Sequence, residues 1–153
     1  MGKHLATAAA LAAVATSALA APPAYLGVWT IRSAVVAPWA DKSSLAQDTA
    51  EKNRLIGKTV TLGAGAITGP QPFPCRGPHY KLSSFTPDML FQGELGEMQS
   101  NDPKVNPAAL AAQLGFAGAH ITVLETGCEI DWHFVDAHTV EIGLDNYVYK
   151  LTK

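Results

Sequence analysis

The sequence predicts a mainly β protein: a small antiparallel β-barrel or strongly curved sheet with one or two short helices. Three observations lead there. Thirteen Gly and ten Pro in 153 residues break the chain too often for a helical bundle. The apolar stretches are short, rich in β-branched and aromatic types, and bounded by turn residues. The last part of the chain alternates apolar and polar with a period of two. With 48% hydrophobic residues there is ample material for one core, and the length predicts one domain. Only 16% of residues are charged and the net charge is −2. The low charge argues against a disordered chain, and the lack of a basic excess against a nucleic-acid partner.

Residues 1–20, MGKHLATAAALAAVATSALA, read as a signal peptide. Lys3 precedes an apolar Ala/Leu/Val run, and Ala18-Leu19-Ala20 offers small residues where a signal peptidase cuts. The run is mostly weakly apolar Ala and only as long as the shortest membrane spans, so no stable membrane insertion is expected after cleavage. No Cys stands at the cut for lipid attachment. The expected mature domain is 21–153, with ten basic and thirteen acidic residues, and its expected location is the periplasm or the medium.

Residues 25–37 give a first strand, about 26–36, closed by Pro38. Residues 39–57 turn charged and Ala-bearing, but their apolar positions are sparse. They predict a loop with a turn or two of helix, capped by Asp41, Ser43 or Ser44 and stopped at Gly57. Residues 58–68 predict one strand bent at Gly63 and Gly65. Residues 69–79, with four prolines, predict an ordered loop. Short strands are expected at 80–85 and 89–95, split by Thr86-Pro87-Asp88. Residues 106–116 carry the strongest helix signal: Asn106 as N-cap, Pro107 at the first position, Gly115 as stop, and Leu110, Leu114 and Phe116 to dock it.

Beyond that helix, HITVLETGCEIDWHFVD places Ile130, Trp132 and Phe134 on one strand face and Asp131 and His133 on the other. After a turn at 136–138, Val140, Ile142 and Leu144 face inward, with Thr139, Glu141 and Gly143 outward. Asp145-Asn146 turns again into a strand whose Tyr147, Tyr149 and Leu151 share a face. These hairpins form a meander.

Export decides the chemistry of Cys75 and Cys128, the only two cysteines. A disulfide is expected, because exported thiols oxidise and neither Cys has the close partner of a metal site. It would pin the Pro-rich loop, supply about 4 kcal/mol in the chain-entropy model, and bring Arg76, His79 and Tyr80 beside the 129–133 segment.

Leu26-Gly27-Val28-Trp29 places a G-x-W near the mature N-terminus. This resembles the opening motif of lipocalins and related small barrels, in which the Trp plugs the closed end. The resemblance implies a barrel-like architecture and a ligand cavity. The arginine that lipocalins set over that Trp is absent, with Lys150 nearby, and so is their TDY loop motif. Eight full strands are not expected beside two helical segments in a domain of this length.

Glu129, Asp131 and His133 would share a face of a continuous strand, a spacing suited to acid–base chemistry or a divalent ion. An exposed polar sheet face is the plainer explanation. There is no G-x-S-x-G elbow and no dinucleotide fingerprint, since Gly63-x-Gly65 lacks the third glycine and the helix. Catalytic residues, cofactors and metals are therefore not assigned. The candidate ligand-binding residues are Trp29, Arg76, His79, Tyr80, Trp132 and His133, and Trp39 and Phe73 join them if loops crowd one mouth of the barrel.

The function these features predict is an exported cell-envelope domain, more a binder than an enzyme, for a small apolar ligand or a protein partner. One alternative is a metal-dependent or acid/base hydrolase using Glu129, Asp131 and His133. Another is an envelope protein inhibitor acting through loop 69–79.

Overall fold

The computed structural model describes residues 23–153; the leader read at 1–20 lies outside the described residues. The fold is mainly β. Among the described residues the nine antiparallel strands are β1 (Gly27–Val36), β2 (Thr59–Leu62), β3 (Ala66–Thr68), β4 (Cys75–Arg76), β5 (Lys81–Phe85), β6 (Ile121–Glu125), β7 (Trp132–Asp136), β8 (Thr139–Leu144) and β9 (Tyr147–Thr152). They form one sheet in the order β4-β3-β2-β1-β9-β8-β7-β6-β5. Nine strands fit because several are only two to five residues long.

The topology explains the curvature. β4 and β5 are neighbours in sequence yet stand at opposite edges of the sheet. Residues 77–80 join them, a link that reaches at most roughly 17 Å when extended. The sheet therefore curls into a half-barrel whose edges approach each other. Three tethers hold them there: the Cys75–Cys128 disulfide, with Cα atoms 6.5 Å apart, the His79 N–H donating to the Thr126 carbonyl at 2.7 Å, and the Tyr80 hydroxyl donating to the Gly63 carbonyl at 2.8 Å. The strongly curved sheet is compatible with a lipocalin-like β fold.

Period-two alternation gives each central strand two apolar faces, and the two faces carry separate cores. The inner core gathers Trp29, Ile31, Val60, Leu62, Leu124, Trp132 and the Tyr147–Leu151 row. The outer core sets Val123, Ile121 and Val148 against Leu90, Phe91, Leu95, Leu114 and Phe116. Helix α1 (Leu45–Leu55) closes the inner side through Leu45 and Leu55, while α2 (Glu94–Asn101) and α3 (Pro107–Gln113) cover the outer face.

Five local readings are corrected. Residues 45–55 form an 11-residue helix rather than a turn or two. Its Ala, Gln, Glu, Lys and Arg favour helix over most of its length, and Leu45 and Leu55 suffice to anchor it. Residues 58–68 are the β2–β3 hairpin, not one bent strand. A Cβ on Gly63 would stand 2.9 Å from the Ala66 carbonyl oxygen, so the turn requires glycine. Residues 89–95 are helical turns leading into α2, with Phe91, Gln92 and Gly93 at positive φ. The run 121–136 is broken between β6 and β7. The Thr126 hydroxyl donates to the Ile130 carbonyl and accepts the Cys128 N–H at 3.2 Å, making a local turn of Thr126–Ile130, so Cys128 lies in a loop. Finally, Glu141 faces away from the inner core but not toward water: it is 3% exposed, with Gln113 and Leu114 at the end of α3 beside it.

The third helix, α3, follows its sequence signal closely. Asn106 Oδ1 accepts the Ala109 N–H at 3.2 Å, and Leu114 and Phe116 are buried in the outer core.

Candidate binding cleft

The residues nominated from sequence do not form one site. Trp29 is fully buried, its ring edge-on to Trp132 at 5.9 Å and to Phe134 at 6.0 Å. Phe73 reaches in from the Pro-rich loop to Trp132, with ring centroids 6.4 Å apart. Aromatic rings thus pack the interior at this end of the half-barrel, and a hollow of about 380 Å³ remains where Phe73 and Trp132 meet Cys128 and Glu129. Arg76 and His79 are exposed at the tethered edge and Tyr80 is half-buried there, tilted against Tyr25 at 5.2 Å. The Phe73 ring lies inward, so the Pro-rich loop presents no exposed aromatic side chain.

Glu129, Asp131 and His133 are separated by the break before β7. Glu129 is exposed in the loop, Asp131 is half-buried with its carboxyl raised by desolvation, and His133 is buried in the outer face at 2% exposure. Among the described residues no three His, Cys, Asp or Glu side chains converge to hold a metal.

His133 has a different role. Its Nε2 lies 3.0 Å from the Phe91 backbone N–H, and its Nδ1 lies 3.1 Å from the Glu141 carbonyl oxygen. A backbone N–H can only donate, so Nε2 accepts and the proton sits on Nδ1. Burial pushes the pKa down to about 4, with the Glu141 carbonyl acting in the opposite direction. The neutral ring also stacks on Phe91 at a centroid distance of 4.5 Å. One nitrogen and a face are thereby spent on holding this turn, and the other nitrogen ties the ring to β8.

That turn matters because of its backbone. Phe91 and Gln92 adopt φ of 54° and 57°, a region that costs bulky side chains energy, and Asp145 in the β8–β9 turn adopts 49°. All three residues at positive φ line the same cleft, of about 490 Å³, Asp145 as part of a two-residue hairpin turn in which positive φ is usual.

The cleft has an aromatic side and a polar side. Trp39 stands half-exposed on one wall, donating its Nε1–H to the Asp145 carbonyl at 3.1 Å and packing on Phe91 at 5.0 Å. Gly143 forms the floor, and a Cβ there would meet Trp39 at 3.1 Å and Phe91 at 3.2 Å, so a larger residue would push the aromatic pair apart. On the polar side, buried Asn146 is the hub. Its Nδ2 donates to Ser44 Oγ and to Asp48 Oδ2, both at 2.6 Å, and its Oδ1 accepts the Asp41 N–H at 2.6 Å. It thus ties the β8–β9 turn to the start of α1. Gln47, Gln92 and Glu94 complete the rim. Desolvation, then the neighbouring Glu97, raises the Glu94 carboxyl.

A second feature of the outer face is Glu141. One carboxylate oxygen lies 3.6 Å from Lys150 Nζ, and Oε2 has no hydrogen-bond partner among the described residues. Burial raises this carboxyl to about 7, with Lys150 pulling it down. A small pocket of about 80 Å³ opens beside it, lined in part by Ser33 and Gln113. An apolar hollow of about 350 Å³ lies elsewhere, between Tyr25, Leu82 and Phe134.

Sequence reading placed Trp39 among loop aromatics available for recognition and found the Asp145-Asn146 turn. It missed Phe91, Gln92 and Asn146 as site residues. The stretch Met89-Leu90-Phe91 reads as a strand, and nothing local to Asn146 signals burial.

No known protein family matches the chain, and neither a curated protein nor a solved structure matches it. The disulfide is compatible with an oxidising, extracytoplasmic compartment, and no described helix is long and apolar enough to cross a membrane.

Proposed function

We propose that the protein is an exported binding domain of the cell envelope, and that its ligand sits in the Trp39 cleft rather than inside the half-barrel. The observation that carries this reading is the cleft itself: three non-glycine residues at positive φ converge on one concavity with a half-exposed tryptophan. Its volume is in the range of sites for small organic ligands. The burial of Trp29, Trp132 and Phe73 speaks against a ligand deep among these rings, which the lipocalin resemblance implies. The acid/base alternative loses support from the geometry, because His133 has no free nitrogen and Glu129 stands apart from it.

Native mass spectrometry of the protein purified from the envelope tests the reading. A co-purifying small molecule is expected on the wild type and missing from Trp39→Ala. A bound molecule retained by Trp39→Ala but lost when Leu82 is changed to Ser would move the ligand to the apolar hollow by Tyr25 and Phe134, the location that the small-apolar-ligand reading favours.

A further inference from the structure

Resting on that reading of the cleft, we propose that its ligand is a small organic cation, carrying a primary ammonium or guanidinium group on a short carbon chain. Three carboxylates, Asp48, Glu94 and Asp145, line the cleft, and no Lys, Arg or His is among its lining residues. An anion entering it would meet uncompensated like charge, whereas a cation would meet three opposite charges in a partly enclosed space. The aromatic wall selects in the same direction. Trp39 is the best side chain for cation–π attraction, and its ring is fixed by its bonds to the Asp145 carbonyl and to Phe91.

The donors point elsewhere. Both Asn146 Nδ2 hydrogens are used on Ser44 and Asp48, and the Trp39 N–H is used on Asp145. What remains open to a ligand is therefore weighted toward acceptors: carboxylate oxygens and the carbonyl of Gln92, whose Nε2 is spent on the Glu129 carbonyl, with the Gln47 amide offering both an acceptor and donors. A donor-rich cation fits that inventory, whereas a polyol needs donors and acceptors in balance.

Titration calorimetry of the purified protein with agmatine, xylitol and succinate tests the class. Agmatine is expected to bind and the other two are not, and raising the salt from 20 to 500 mM should weaken binding by screening, since the Debye length falls from about 20 Å to a few Å. Glu94→Gln and Asp145→Asn keep shape, and Asn tolerates the positive φ at 145. Each should weaken agmatine about tenfold, and Trp39→Phe by a smaller factor. Binding of xylitol or succinate without agmatine would overturn the cation assignment and leave the cleft as a binding site. Agmatine binding unaffected by Glu94→Gln, Asp145→Asn and Trp39→Phe would overturn the placement of the cation in this cleft. No heat with any of the three overturns the cation proposal, and native mass spectrometry then decides separately whether the cleft binds anything.

Discussion

The two faces of the sheet solve the same packing problem with different chemistry. The inner face is closed by aromatic and aliphatic side chains, with edge-to-face rings around Trp29 and Trp132. The outer face also excludes water, but it buries an imidazole and a carboxylate, His133 and Glu141, in adjacent strands at paired positions. A purely apolar outer face would be easier to stabilise, since buried ionisable groups cost solvation energy. What those groups supply is position: His133 accepts the Phe91 N–H at the strained turn that walls the cleft. The inner face fixes the fold, and the outer face fixes the turn that walls the cleft.

The largest effect should come from breaking the inner face. Trp29→Ala is expected to cost about 3–5 kcal/mol in denaturant melts, the usual range for removing a fully buried large aromatic. A loss below about 1 kcal/mol would mean that the inner face is not the main source of stability. Next in size is the tether that keeps the sheet curled. Reducing Cys75–Cys128, which closes a separation of 53 residues, should cost roughly 2–4 kcal/mol. Hydrogen exchange should then rise first in residues 69–80, before the central strands. Uniform acceleration across β1, β8 and β9 would show that the disulfide supports the whole sheet rather than its edge.

The outer face should respond to pH in two opposed ways. His133 titrates at about 4 in the folded protein against 6.5 when unfolded, so its contribution is fully present above about pH 6.5 and is lost as the pH falls toward 4. Glu141 is raised from 4.5 to about 7, so the native state holds its proton longer than the unfolded chain, and stability falls as the pH rises from about 4.5 to 7. Across the interval where both operate the slopes offset. Glu141→Gln keeps the shape and removes one of them, and it should stabilise the protein by about 1–2 kcal/mol at pH 8 while leaving a rise in stability from pH 4 to 6.5. Urea melts of both proteins across that range check it. An unchanged pH profile would place the Glu141 carboxylate in contact with water. The smallest effect is at the periphery: Asn106→Ala should cost about 1 kcal/mol, from loss of the α3 cap.

The inner face was legible in the sequence because it is written with period two. Trp132-Phe134 and Tyr147-Tyr149-Leu151 need only the alternation of a strand to be placed together, and the same applies to Trp29 within the G-x-W. The outer site was not legible for the same reason. His133 and Glu141 occupy the positions that alternation assigns to solvent, and they are buried by residues distant in sequence, Phe91 against His133 and the end of α3 beside Glu141. The turn at Phe91 is tied by a long-range bond to a residue 42 positions away, which no local pattern encodes. The break at Thr126–Ile130 had a local cause, a Thr hydroxyl bonding to nearby backbone beside Gly127, but the flanking apolar residues concealed it.

The central claim is that the inner face is closed and the outer cleft is open to a ligand. The chain has three tryptophans, Trp29 and Trp132 inside and Trp39 on the cleft wall, so their three indole N–H signals in a proton–nitrogen NMR spectrum report on both places at once. On addition of the low-molecular-weight fraction of an envelope extract, the Trp39 signal should move together with the backbone amides of Gln92, Asp145 and Asn146, while the Trp29 and Trp132 signals stay fixed. Movement of the Trp29 and Trp132 signals with Trp39 unchanged would contradict the account and put the ligand inside the half-barrel.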